Sequence, residues 1–398
     1  MRPLEPVAAG DPDDPSTAAS SLPPPPDYAG GTLASVLPAV AASLGATSYG
    51  DADPFGLVPA RRAVVVLVDG LGLELLRRRG GHAPFLRSHL PGAVRLDSGY
   101  PSTTATSMGS FGTGLPPGAH GLVGYEVLVP GEDRTVNELS WEGGPDPRTW
   151  QPAPTVFQRL EADDVRVTRI GPAYFDGSGL TEAALRGGRF VAARHLPERV
   201  EAALTAVRAS SRSLVYLYWG DLDKVGHVHG CGSWEWGDEL EAVDGALAEL
   251  ARRVPSDTAV YVTADHGMVD APHALRLDLA HDEELSRGVR HLGGEPRSPQ
   301  LYAEPGAAGD VLATWRERLA PRAWVLSREE AVAAGWFGPV REDVLPRVGD
   351  VVVLMRESFA VVHSRRTRPE VLALLGLHGS VTADERSIPL VRIPPRTA

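Results

Sequence analysis

The sequence of 398 residues contains one cysteine, Cys231. A single cysteine excludes an intrachain disulfide and any zinc site built from several thiolates. We therefore expect Cys231 to be a small packing residue. Any metal ion must instead be held by histidine, carboxylate or hydroxyl side chains.

Long apolar runs are absent as well. No run reaches the roughly 18 residues that a membrane-spanning helix requires. The N-terminal residues also lack the basic segment followed by an apolar segment that is typical of a secretory signal. From these absences we expect a soluble, cytoplasmic protein without a membrane partner.

Basic residues are the minority among the charged residues. Lysine and arginine together number 39, against 51 aspartates and glutamates, so the net charge is -12. Because no basic run stands out, we expect no binding to a nucleic-acid duplex. An acidic protein that binds phosphate needs local cations, and metal ions are the obvious source.

The composition divides the chain into a tail and one large domain. Residues 1–30 are rich in proline, aspartate, serine and alanine, which predicts a disordered tail. Residues 31–398 are long enough for a single α/β domain with an insertion. The least regular part, residues 271–345, is interpreted as an insertion that covers the functional site. Within it we predict a strand at 300–303 and a helix at 308–319.

Apolar runs of strand length alternate with segments of helical spacing. One clear amphipathic helix is predicted at 238–254, where apolar residues recur every three or four positions. The alternation predicts an α/β fold with a mostly parallel central sheet and helices on both faces. The C-terminal run 388–393 is interpreted as an edge strand. The other predicted strands are 62–68, 165–170, 213–219, 258–263 and 350–354.

Side chains that can bind a metal follow three of these strands, and another lies in a glycine-bounded loop. Because the carboxyl ends of parallel strands meet at one edge of a sheet, such residues converge in the fold. Carboxylates mixed with imidazoles are the ligands that zinc prefers in catalytic sites. The candidate ligands are Asp69, Asp223, His227, Asp265, His266 and His378.

A segment rich in serine and threonine, Tyr100–His120, contains the candidate nucleophile. A helix is predicted from Thr104 to Phe111, ended by Gly112 and Gly114. A hydroxyl at the start of such a helix lies near unpaired N–H groups and the positive end of the dipole. This position suits a nucleophile and an incoming anion. The alternative is a helix cap with no catalytic role.

The motifs taken together resemble the alkaline phosphatase superfamily, and within it the type I phosphodiesterase/nucleotide pyrophosphatase branch. The resemblance spans residues 62–380 and implies an alkaline-phosphatase-like fold. It rests on Val68-Asp69-Gly70, Tyr100–Thr104, Gly112-Thr113-Gly114 with Pro117 and His120-Gly121, Asp223–His227, Ala264–Met268 and Leu377-His378-Gly379.

This resemblance implies a hydrolase with two divalent ions, expected to be Zn²⁺. One ion would be held by Asp223, His227 and His378. The other would be held by Asp69, Asp265 and His266, with Thr104 as the coordinated nucleophile that forms a covalent phospho-threonine. Ser102, Thr103 and Thr106 remain alternatives for the nucleophile.

The implied substrates are small phosphate esters, above all phosphodiesters or nucleotide pyrophosphates. Two alternatives stay open. One is a phosphomonoesterase or phosphonate hydrolase on the same scaffold, and the other is a non-catalytic protein that binds phosphate or nucleotide.

Two positions depart from the pattern of the phosphodiesterase branch. Its members usually have lysine before the nucleophile and asparagine three residues after it. Here these places hold Thr103 and Ser107. The asparagine helps to bind a phosphoryl oxygen in the family, so we expect Ser107 to replace it only in part. The preference for diesters over monoesters is therefore left open.

Four further residues have competing interpretations. Asp221 is a weaker candidate than Asp223, and His229 is expected not to bind metal. His120 is expected to order its loop. Arg297 is expected to be a solvated surface residue, with contact to a substrate phosphate as the alternative. Packing is expected for three tryptophans, any of which could alternatively stack on a nucleobase or aryl group: Trp219, Trp234 and Trp236.

Overall fold

The computed structural model describes residues 21–396, and we number its strands and α-helices along the chain. The strands are β1 Arg62–Val68, β2 Val94–Asp97, β3 Glu126–Leu128, β4 Thr135–Asn137, β5 Arg166–Gly171, β6 Arg189–Ala192, β7 Ser213–Trp219, β8 Thr258–Thr263, β9 Val269–Asp270, β10 Arg276–Asp278, β11 Val289–Glu295, β12 Ser298–Ala303, β13 Ala323–Ser327, β14 Val351–Met355, β15 Ala360–Val362, β16 Gly376–Leu377 and β17 Ser387–Ile393.

Three of the helices are long, and the helices predicted at 238–254 and 308–319 are among them. The helices are α1 Val36–Ser43, α2 Leu73–Arg78, α3 Pro84–His89, α4 Thr104–Thr113, α5 Pro117–His120, α6 Pro147–Trp150, α7 Val156–Ala162, α8 Gly179–Ala184, α9 Leu196–Arg208, α10 Asp221–His229, α11 Trp234–Arg253, α12 Glu283–Ser286, α13 Ala308–Leu319, α14 Arg328–Ala333, α15 Pro369–Leu372 and α16 Ala383–Arg386. None of the helices among the described residues has the length and apolar composition needed to cross a bilayer.

The central sheet has seven strands in the order β2-β17-β8-β1-β7-β5-β6. Strands β8, β1, β7, β5 and β6 run parallel to one another, and helices flank the sheet, so the predicted α/β class is confirmed. The middle strand, β1, is buried over Ala63–Val68 because it lies between β7 and β8. Such a continuous apolar run is typical of a parallel strand that is covered on both faces.

The C-terminal strand is not at the edge of the sheet, so this prediction was wrong. β17 runs antiparallel between β8 and β2, and β2 forms the outer strand. β17 pairs with β2 over Ser387–Leu390 and with β8 over Val391–Ile393, and Ser387–Val391 are buried. The four residues of β2 were too short a signal to predict as its neighbour.

A second, antiparallel sheet has the order β11-β12-β14-β13 and carries its own apolar core. Trp315 of α13 is fully buried in this core, beside Leu301 and Val353. Strand β14 lies between β12 and β13, so this unit extends beyond the predicted end of the insertion at residue 345. Helix α13 has the bounds that were predicted for it.

The predicted disorder of the tail falls mainly on residues 1–20, which lie outside the described residues. Residues 21–30 are described, and although half of them are exposed, Tyr28 contacts the domain. The Tyr28 hydroxyl donates to the Trp336 carbonyl at 2.8 Å and accepts from the Tyr100 amide at 3.1 Å. An apolar ring with a satisfied hydroxyl anchors this part of the chain.

The turn between β11 and β12 contains a buried ion pair that the sequence analysis did not predict. Arg297 donates to both carboxylate oxygens of Glu385, at 2.9 and 2.7 Å, and both side chains are 0% exposed. Arg297 is therefore neither a surface residue nor a substrate contact. Glu385 also accepts from the Ser380 amide and the Thr382 hydroxyl, so the pair ties the second sheet to residues 380–385.

We expect Arg297→Met to lower the free energy of unfolding by about 3–5 kcal/mol, because it leaves the Glu385 carboxylate buried without its cation. Denaturant unfolding measures this loss. The matched control is Arg290→Met, since Arg290 pairs with Asp133 on the exposed surface of the same sheet and should matter little. Equal, small effects of both variants would contradict this account of the pair.

Candidate active site

The candidate site lies at the carboxyl edge of the central sheet, where three adjacent strands end. Asp69 follows β1, Asp223 lies in the first turn of α10 after β7, and Asp265 follows β8. Because β1 pairs in parallel with both β7 and β8, these three positions converge. All three side chains are buried, with exposures between 0% and 9%.

One cluster of ligand atoms contains Asp223, His227 and His378, within 4.8 Å of one another. Asp223 and His227 are four residues apart on α10 and so face the same way. Their Oδ2 and Nε2 atoms are 3.3 Å apart. His378 comes from the loop after β16, and its ring lies 5.2 Å from that of His227.

A second cluster contains Asp69, Asp223 and His266, again within 4.8 Å. His266 Nε2 is 3.4 Å from Asp69 Oδ1 and 3.4 Å from Asp265 Oδ2. Asp223 therefore lies between the two groups rather than in one of them alone. All six candidate ligands meet at this edge of the sheet.

The three histidines are held in one tautomer by backbone carbonyls. The Nδ1 atoms of His227, His266 and His378 lie 2.6, 3.0 and 3.1 Å from the carbonyls of Gly376, Gly267 and Ser102. A carbonyl only accepts, so each Nδ1 is the donor and each Nε2 keeps its lone pair. The lone pairs are available to a metal ion, and the backbone contacts hold the rings in orientation.

Each of the three aspartates has one buried carboxylate oxygen without a hydrogen-bond partner among residues 21–396: Asp69 Oδ1, Asp223 Oδ1 and Asp265 Oδ2. Burial and the facing Asp265 and Asp223 carboxylates raise the pKa of Asp69, and burial raises the pKa of Asp265. Clustered buried carboxylates of this kind need a compensating positive charge. Their oxygens, with three imidazole nitrogens, fit divalent metal ions.

Thr104 is the first residue of α4, and its hydroxyl oxygen is 3.2 Å from His266 Nε2. It is the one partly exposed member of the four candidate nucleophiles. Ser102, Thr103 and Thr106 are all buried, and Ser102 donates its hydroxyl to the Ser380 carbonyl. The geometry thus favours Thr104, which lies beside the ligand cluster and at the start of a ten-residue helix.

Ser107 is the residue that was expected to replace the asparagine phosphoryl ligand in part. Its side chain is 0% exposed, and its hydroxyl donates to the Asp265 carbonyl at 2.8 Å. The single hydroxyl proton of Ser107 is therefore donated to a backbone carbonyl. Ser107 ties α4 to the loop that carries Asp265 and His266, and its contact with a phosphoryl oxygen stays a prediction.

Two residues near the ligands were missed by the sequence analysis. The Tyr218 hydroxyl, near the end of β7, donates to Asp69 Oδ2, and it gave no signal because it lies within an apolar run. Glu295 comes from β11, and its Oε2 lies 3.4 Å from His378 Nδ1. Burial raises the pKa of Glu295. No motif marks it, because it reaches the site from the distant second sheet.

The weaker candidates lie away from the ligand clusters. Asp221 is paired with Lys224 at 2.7 Å on the surface of α10, and His229 faces Glu235 at 3.4 Å. Trp236 is buried as expected, whereas Trp234 is 70% exposed. Cys231, also as expected, is buried.

His120 is fully buried and orders its loop. Its Nδ1 accepts from the Leu122 amide at 3.1 Å, so Nε2 carries the proton and faces Ser110 Oγ at 3.0 Å. The ring packs on α4 at Gly109, where a Cβ atom would lie 2.5 Å from it. Burial, assisted by Arg341 and Arg347, lowers the pKa of His120 to about 3.

The parallel sheet has an alkaline-phosphatase-like fold, and the carboxylates and imidazoles at its carboxyl edge could hold a metal ion. The chain belongs to the type I phosphodiesterase/nucleotide pyrophosphatase family, whose family model matches residues 63–381. It is accordingly a hydrolase of phosphate esters. A Schizosaccharomyces pombe protein described as an uncharacterized pyrophosphatase/phosphodiesterase is 25% identical over 356 residues, which is 79% of this chain and 67% of that protein.

Solved structures share the fold at low sequence identity. Murine ectonucleotide pyrophosphatase/phosphodiesterase 5 superposes with a TM-score of 0.67 at 18% identity, over 84% of this chain and 88% of that chain. An inactive threonine-to-alanine variant of the murine protein, in complex with AMP, gives 0.68 with the same identity and coverage. Phosphonoacetate hydrolase from Sinorhizobium meliloti, in complex with phosphonoacetate, gives 0.64 at 22% identity, over 84% of this chain and 90% of that chain.

Because His120 is neutral in the fold, stability should fall as the pH drops. The unfolded chain takes up a proton below about pH 6.5, whereas folded His120 does so only near pH 3. From pH 7 to pH 5, the protonation of His120 in the unfolded chain should lower the free energy of unfolding by about 2 kcal/mol. Denaturant unfolding of the wild type and His120→Gln measures the difference, and the variant should show the smaller loss. Identical losses would mean that His120 titrates normally in the fold.

Proposed function

We propose that the protein hydrolyses phosphodiesters or nucleotide pyrophosphates through a covalent phospho-threonine at a site for two divalent ions. One observation carries the proposal: the partly exposed hydroxyl of Thr104 lies 3.2 Å from His266 Nε2, beside buried carboxylate oxygens that lack protein donors. A nucleophile and a set of metal ligands are thus in contact.

The proposed ligand assignment gives Asp223, His227 and His378 to one ion. Asp69, Asp265 and His266 hold the other, together with Thr104, and zinc suits this mixture of oxygen and imidazole ligands. Asp223 borders both groups. When bound, the two ions lower the pKa of the attacking hydroxyl and neutralise charge on the phosphoryl group and the leaving oxygen.

Thr104 loses its hydroxyl proton, Oγ1 attacks phosphorus, and the bond from phosphorus to the leaving oxygen breaks. The leaving oxygen takes up a proton from solvent, and the phosphoryl group, with its remaining ester substituent, stays on Thr104. Water then attacks phosphorus, and the Thr104 hydroxyl is regenerated. The first amide groups of α4 have no intrahelical carbonyl partner, and with the helix dipole they favour the transferred anion. Tyr218 holds Asp69 in place through its hydroxyl.

The relatives support the substrate class. The fission-yeast relative is described as a pyrophosphatase/phosphodiesterase, and the murine threonine-to-alanine variant is inactive and binds AMP. The structural likeness to phosphonoacetate hydrolase keeps a phosphonate substrate as the second candidate. Thr103 and Ser107, in place of lysine and asparagine, are where a difference in substrate preference would originate.

Thr104→Ala should reduce hydrolysis of bis(para-nitrophenyl) phosphate by roughly 10³-fold or more, because the attacking oxygen is removed. Zinc content, measured on the purified variant, should stay close to that of the wild type. Thr106→Ala is the matched control, since this buried hydroxyl makes no hydrogen bond among the described residues, and it should retain activity. Full activity of Thr104→Ala would refute the assignment of the nucleophile.

Removing metal with a chelator should abolish hydrolysis, and added Zn²⁺ should restore it, because the buried carboxylates then regain their cations. The reloaded protein should turn over bis(para-nitrophenyl) phosphate faster than para-nitrophenyl phosphate or phosphonoacetate. A preference for the monoester or the phosphonate would select the second candidate. Absence of bound ions and of any zinc-dependent activity would instead favour a non-catalytic phosphate- or nucleotide-binding protein.

A further inference from the structure

The tip of the β11–β12 hairpin, residues 295–298, contacts two of the segments that carry proposed active-site residues. Ser298 Oγ is 2.7 Å from the Tyr100 hydroxyl, in the loop that leads to Thr104. Arg297 binds Glu385 in the ion pair described above, and Glu295 lies beside His378. The second sheet therefore reaches the site through four consecutive residues.

The Thr103 hydroxyl lies beside Glu295, but this one neighbour does not by itself explain the burial of a carboxylate. Its side chain is 8% exposed, and its Oε1 has no hydrogen-bond partner among residues 21–396. Within the described part of the chain, its ion-pairing partner within 4 Å is the imidazole of His378. Arg297, two residues away, is used by Glu385. A buried carboxylate without a cation or a full set of donors is costly, so a specific role is required to explain it.

The backbone leaves room for this carboxylate next to His378. Gly379 has a φ of 120°, a conformation that favours glycine, and a Cβ atom there would lie 2.5 Å from Glu295 Cδ. The His378 loop can therefore accept Glu295 only with glycine at this position. This close approach brings Glu295 Oε2 within 3.4 Å of the Nδ1 that also faces the Ser102 carbonyl.

We infer that Glu295 is a positioning residue for His378 and strengthens the hold of that histidine on its metal ion. The inference rests on the proposed function, in which His378 is a ligand through Nε2. A carboxylate beside the opposite nitrogen fixes the ring and makes the imidazole a better ligand. The residue acts through His378 and touches neither the nucleophile nor the substrate.

The charge balance of the site agrees with this role. Asp69, Asp223, Asp265 and Glu295 supply four carboxylates, and two divalent ions supply four positive charges. Glu295 places the fourth of these negative charges beside His378. The fourth carboxylate therefore favours retention of both ions in a low-dielectric environment.

Zinc titration of the metal-free, full-length protein against a chromophoric chelator tests the inference. In Glu295→Gln, one of the two zinc dissociation constants should rise about 10–100-fold, while the other stays unchanged. Glu304→Gln is the matched control, because Glu304 is an exposed carboxylate on the same sheet unit. It removes the same charge and should change neither constant by more than about twofold. Unchanged constants in Glu295→Gln would overturn the inference.

Two additional variants separate positioning from a general effect. In a His378→Ala background, Glu295→Gln should cause no further loss of zinc affinity, since its effect passes through the missing ring. An equal loss in both backgrounds would overturn the inference. Glu295→Asp keeps the charge but shortens the side chain, so it should also weaken the binding of one zinc ion. If Glu295→Asp leaves both zinc dissociation constants unchanged, the charge of residue 295 alone strengthens zinc binding, and its contact with His378 does not.

The titration also distinguishes this inference from the proposed function. If Glu295→Gln weakens one zinc site but the wild type hydrolyses no phosphate ester, the proposed function is refuted and the inference stands. An active wild type whose zinc constants are insensitive to Glu295 would refute only the inference. A wild type that binds no zinc through His378 would contradict both. The melting temperature of the metal-free variants shows whether any loss of zinc reflects unfolding instead.

Discussion

The repulsion among three buried aspartates is the interaction on which the site depends. Asp69, Asp223 and Asp265 are brought together by the parallel pairing of β1 with β7 and β8, and each keeps an oxygen without a protein donor. Such a group is unfavourable unless cations lie between the carboxylates. The surrounding contacts serve this arrangement, since backbone carbonyls orient three histidines and Tyr218 holds Asp69. The stability of this edge of the sheet is therefore coupled to the ions that it can bind.

Much of the site was predictable because its ligands follow local rules. Acidic residues directly after buried strands must meet at the carboxyl edge of a parallel sheet, and this placed Asp69 and Asp265. The start of α4 at Thr104 was predictable because a proline turn and a pair of glycines bound this helix, whereas the choice of Thr104 as the nucleophile needed the family resemblance. The family resemblance was needed for the ligand sets, and the geometry differs from them in one respect, since Asp223 borders both clusters.

The remainder of the site depends on contacts between distant parts of the chain. Glu295 and Arg297 both lie in a segment without a recognisable pattern, yet one reaches His378 and the other is buried on Glu385. Ser107 has the spacing of a phosphoryl ligand, but its neighbour in space is the Asp265 carbonyl. Strand β17 was assigned to an edge because its partner β2 has only four residues. In each case the sequence shows which residues are present, but not which residues or strand they contact in the fold.

The buried pair of Arg297 and Glu385 also limits how the molecule can move. A swing of the second sheet away from the site would separate two fully buried charges and cost several kcal/mol. At about 3 kcal/mol, fewer than one molecule in roughly a hundred would be open at any moment. The second sheet is thus held in a fixed position beside the site and does not act as a hinged lid. Substrate must therefore enter the site with the second sheet in this position, and turnover requires no opening movement of that sheet.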